Sequence, residues 1–179
     1  GASSLGNTGT IQLTTGKSAG GKGGSITLSV GDGDTGVGGD ITVNAGHTTA
    51  SLGTTGGVIS LQSGESALTS SGDISMVTPN AGNAGVSGNI AFASGASSLG
   101  NTGTIQLTTG KSTGGKGGSI TLSVGDGDTD VGGDITVNAG QTTAANKAGG
   151  VVSIQSGGST NGRSGKVSLS TLSGGVSGN

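Results

Sequence analysis

Seven aspartates fall in two short stretches: Asp32, Asp34 and Asp40, then Asp126, Asp128, Asp130 and Asp134. Carboxylates set among glycines, as in GDGD, are the residue types that hold calcium, a hard cation that takes about six to eight oxygen ligands. A nonapeptide calcium repeat, GGxGxDxUx, places an acid about every nine residues. Here the acids return only after 94 residues, Asp32 to Asp126. Asp32, Asp34, Asp126 and Asp128 are therefore the one candidate metal set, for calcium, and no other cofactor is expected. The ordinary use of Asp in a glycine-rich turn is to fold the turn.

Other reactive constellations are missing from the sequence. His47 is the single histidine, and Gln141 takes its place in the second copy of the surrounding repeat. General base or nucleophilic chemistry needs partners at a suitable spacing, and the chain has no Cys. GKGGS and GGKGG hint at a phosphate loop, yet GxxxxGK[ST] opening a helix is not present. Paired carboxylates for glycoside cleavage need a cleft with aromatic walls, and the chain offers one Phe, no Trp and no Tyr. No catalytic residue is expected, and the chain reads as non-enzymatic. A net charge of −2 without a basic run argues against nucleic acid. No apolar stretch approaches ~20 residues, so no membrane span is expected.

A further possibility is water ordering by a regular array of small hydroxyls and methyls. Thr27, Ser29, Thr42, Asn44, Thr121, Ser123, Thr136 and Asn138 are the candidate ice- or surface-binding face. Gln12, Gln62, Val77, Ala91 and Ala93 interrupt the column. Ser and Thr also suit solvent-facing strand positions for no reason beyond that.

Any such array depends on the elements that carry it. With 44 glycines, 28% hydrophobic and 9% charged residues, composition alone points to a low-complexity chain unable to offset its conformational entropy. Order along the chain says more. An apolar anchor recurs at Ile11, Ile26, Ile41, Ile59, Ile74, Ile90, Ile105, Ile120, Ile135, Val152 and Val167, spaced by 15 to 18 residues. Gly stands two residues before every anchor and, with exceptions at Pro79 and Leu172, five after. Around each anchor apolar and small polar residues alternate, as in ITLSV and ITVNA, the pattern of a half-buried strand. Flanking glycines supply positive-φ corners in this reading.

A strand, a corner and a glycine-rich return every ~15 residues make one coil of a repeat. The pattern predicts an all-β chain, a parallel β-solenoid of about eleven coils without helices. Ile-on-Ile stacking would form a thin core, with Met76 and Phe92 filling it locally. The domain reading is one continuous solenoid over 1–179, with a first six-coil unit at 1–94 and a second, incomplete one at 95–179. Residues 1–46 and 95–140 differ only at Ala19/Thr113 and Gly36/Asp130. Such near-identity suggests tandem duplication. The closing GGVSGN matches AGVSGN at 84–89, where the chain continues, so the sequence is expected to be cut from a longer array.

The run GDGDTGVGGDITVNAG, with GGSITLSVG and GVSGNIAFASG, resembles the Gly/Ser/Thr-rich β-helical repeats of extracellular algal and stramenopile proteins. That style is shared with green-algal ice-binding proteins. The resemblance covers the whole chain and implies an extracellular or cell-surface, non-catalytic repeat. Two functions follow as expectations. One is a structural module, a rigid rod within a longer fibre, stalk or appendage, joined end to end to itself or to neighbouring repeats. The other is ice binding through the Thr/Ser/Asn face, with extracellular polysaccharide as a further partner of that surface.

Overall fold

The computed structural model describes residues 6–50 and 53–172. The first five residues of the opening motif and the closing GGVSGN lie outside them. Two units divide the chain, Gly1–Ile90 and Ala91–Asn179.

The expected β-solenoid is not formed. Among the described residues there is no helix and no strand, and the chain is mostly coil. The physical reason lies in what a strand needs. Alternation fits a residue to a pleated surface, but a strand exists only when its backbone groups pair with a neighbour. The backbone–backbone hydrogen bonds here close short loops, such as Gly57 N–H to Gly46 O at 2.8 Å, and none of them joins one anchor segment to another.

The described residues form no core either. None of the described residues is buried. The accessible surface is 17853 Å², against about 7,500 Å² for a compact domain of this mass. Met76 and Phe92, expected to fill a core, are exposed. Two or three apolar side chains per segment bury too little to order the glycine-rich remainder, each residue of which costs about 1–2 kcal/mol of backbone entropy.

The register of the sequence nevertheless shapes the chain. The anchors from Ile26 to Val167 are 44–60% exposed, while Val37, Leu68, Val86 and Leu99, outside the segments, are 95–101% exposed. Residues two after the anchors are 57–82% exposed. Ten of the eleven anchors are thus less exposed than the apolar residues outside the segments, Ile11 at 91% being the exception, and none reaches a buried state.

A second regularity is a recurring neck. The glycine two before an anchor lies against the residue four after the preceding anchor. Gly24 meets Thr15, Gly39 meets Val30, Gly57 meets Ala45, Gly72 meets Ser63 and Gly88 meets Thr78. In the second unit Gly103 meets Ser94, Gly118 meets Thr109, Gly133 meets Val124, Gly150 meets Ala139 and Gly165 meets Ser156. Loops of different length close at the same two positions: nine residues separate Val30 from Gly39, and twelve separate Ala45 from Gly57. All the variation in anchor spacing therefore resides in the loops.

The necks explain some of the glycines. Positive φ, the reason expected from sequence, occurs among the described residues only at Gly6, Gly53 and Asn146. Close approach is the cause at Gly24, Gly39 and Gly133, whereas the glycines five after the anchors, such as Gly16 and Gly125, have nothing within 4 Å of a Cβ position. A Cβ on Gly39 would stand 2.5 Å from Val30 Cγ1, and one on Gly133 would stand 2.6 Å from Val124 Cγ1.

Candidate functional site

The acidic turns are the most tightly folded part of the candidate chemistry. A Cβ on Gly33 would lie 2.9 Å from the carbonyl oxygens of both Gly36 and Val37. In the second unit a Cβ on Gly127 would lie 2.7 Å from Asp130 O and 2.9 Å from Val131 O. Only glycine lets the turn close this far. The Val131 N–H donates to Asp130 Oδ1 at 2.8 Å, so this carboxylate is used by the turn itself. Asp32 and Asp34 flank Gly33, and Asp126 and Asp128 flank Gly127. Among the described residues no three His, Cys, Asp or Glu side chains come near enough together to hold a metal ion. The structure thus places each acidic pair in a turn and brings no third acidic ligand to it.

The hydroxyl face is distributed otherwise than an array requires. Thr27, Ser29, Thr42, Asn44, Thr121, Ser123, Thr136 and Asn138 are all exposed, on anchor segments that carry no strand. A strand ladder would have fixed their spacing at ~4.7–4.9 Å, and the described segments form no ladder. The structure leaves these residues accessible but does not join them into one lattice.

Hydroxyls that sequence reasoning passed over do have a structural task. Thr15 Oγ1 donates to Gly24 O at 3.2 Å, and Thr109 Oγ1 donates to Gly118 O at 3.3 Å. At four of the five necks where Ala or Ser precedes Gly, the Ser94–Gly95 neck being the exception, the backbone closes it instead. Gly72 N–H donates to Gly64 O at 2.9 Å, Gly150 to Gly140 at 2.8 Å and Gly165 to Gly157 at 2.7 Å. Equivalent necks in the two units use equivalent bonds: Gly57 to Gly46 and Gly150 to Gly140 are both 2.8 Å, across loops of different length. The signal was present in the sequence, in the small or β-branched residue four after each anchor.

An apolar hollow of about 240 Å³ is lined by Phe92, Ile105, Gln106 and Leu107. It holds no acid, base or nucleophile. Phe92 and Leu107 stand at the same position of successive repeats, two after an anchor, beside the anchor Ile105. Among the described residues no helix is long and apolar enough to cross a membrane.

Set against protein-family models, curated proteins and solved structures, the chain matches none of them.

Proposed function

We propose that the chain is a non-enzymatic structural repeat module of an extracellular or cell-surface protein. It acts by repetition, through segments and necks used many times over, and not through a reactive centre. The observation that carries this reading is the neck, which recurs in one register through both units. The side chains able to do chemistry support it from the other side, since Asp32, Asp34, Asp126 and Asp128 sit at tight glycine turns and His47 stands apart from them in sequence. The extracellular placement rests on the resemblance of the repeat itself. Ice ordering needs a ladder that spaces the hydroxyls, and no observation favours it.

The test is protease shaving of intact source cells, followed by immunodetection of the chain in the released and retained fractions. Release before lysis is the expected result. Retention within the lysed cell contents alone would overturn the extracellular placement.

A further inference from the structure

The eleven anchor segments are IQLTT, ITLSV, ITVNA, ISLQS, ISMVT, IAFAS, then IQLTT, ITLSV, ITVNA, VSIQS and VSLST. None contains Asp, Glu, Lys, Arg, Gly or Pro. Every charged residue of the chain lies outside them, in a loop or directly before an anchor, as Asp40, Asp73, Asp134 and Lys166 do. Proteins usually guard exposed strand-prone segments with charges or prolines inside or directly beside them. Here no charge lies inside any segment, and a charge stands directly beside only four of the eleven.

The structure leaves them uncovered as well. Each described anchor is at least 44% exposed, and among the described residues no backbone hydrogen bond joins one segment to another. The surface exceeds that of a compact chain by on the order of 10,000 Å². A stable interface needs only ~1,600 Å² in total.

We infer that the partner covering these segments is a second copy of the same chain, associating segment against segment. Three observations favour a copy over another occupant. The surface to be covered recurs, so its cover must recur, and the chain itself carries that repeat through two nearly identical blocks. Uncharged segments with alternating β-branched residues pair readily with their own kind. A net charge of −2 opposes the approach of two copies only weakly. This inference does not rest on the proposed extracellular role, and a failure of either leaves the other standing.

Sedimentation velocity on the purified full chain over a wide concentration series, with amide hydrogen exchange on the same samples, tests it. The expected result is a mass that rises with concentration, accompanied by slowed exchange within the anchor segments. Ile41→Asp with Ile135→Asp should raise the concentration of half-association at least ~tenfold, because each places an unpaired charge in the contact. Val37→Asp with Val131→Asp, in the loops, should move it less than about twofold. A monomer throughout the series overturns the inference. If its anchor amides are protected, the chain covers its own segments; if they exchange freely, nothing covers them. Equal effects of the segment and loop pairs would overturn it too.

Discussion

Gly127 shows how much of this chain depends on the absence of a side chain. Two carbonyl oxygens, from Asp130 and Val131, stand within 2.9 Å of where its Cβ would be. Backbone atoms cannot swing aside as the end of a flexible side chain can. Gly127→Ala should therefore open the acidic turn, at a local cost of about 1–3 kcal/mol by analogy with other overpacked sites. The shift changes should run over residues 126–131 in a heteronuclear amide spectrum. Gly125→Ala, with nothing within 4 Å of its Cβ position, should leave the spectrum nearly unchanged. Equal perturbation by both would mean that the turn is not closed. At this scale the sequence was legible as to where glycine is needed and misleading as to why. A glycine required by positive φ and one required by close approach look identical in a sequence. Only Gly6 and Gly53, among the described glycines, are of the first kind.

Among elements, the anchor segment and the neck fared differently. Anchor register was legible because apolar residues and glycines recur at fixed offsets, and from Ile26 onward the anchors are less exposed than the apolar residues outside the segments. The strand was not. Ile26, Leu28 and Val30 alternate with Thr27 and Ser29 as a strand would, but alternation describes one segment, whereas pairing is a property of two. The neck was overlooked because its two halves, such as Ala139 and Gly150, seem unrelated until the loop between them closes. Necks with a backbone bond should be visible by amide exchange. The N–H groups of Gly57, Gly72, Gly150 and Gly165 should exchange about 2–10-fold more slowly than those of Gly39 and Gly133, whose necks meet a valine side chain. Indistinguishable rates, measured at low protein concentration, would count against the necks.

Across the whole molecule, composition spoke more truly than periodicity. A chain with 44 glycines and 28% hydrophobic residues was expected to escape the fate of low-complexity sequence through stacking. Its described residues instead leave all their large apolar side chains exposed. The candidate sites follow from the same fact: the acids and hydroxyls are exposed, and nothing among the described residues gathers them into one place. A thermal consequence is open to calorimetry. A compact domain of this length unfolds with an enthalpy on the order of 100 kcal/mol. The dilute chain should show no cooperative heat-absorption peak, since its described residues form no core to melt. A sharp peak independent of concentration would require buried structure within a single chain.

The necks have one more consequence, mechanical in kind. Each ties together two points nine to twelve residues apart, a contour of roughly 30–40 Å at full extension. Its fastening is slight: one hydrogen bond, or a methyl group resting against a glycine. Under tension such fastenings give way one by one, and each returns its loop to the length of the chain. A protein built from many such repeats would lengthen in small steps under load and shorten again on release, with no folded domain having to rupture.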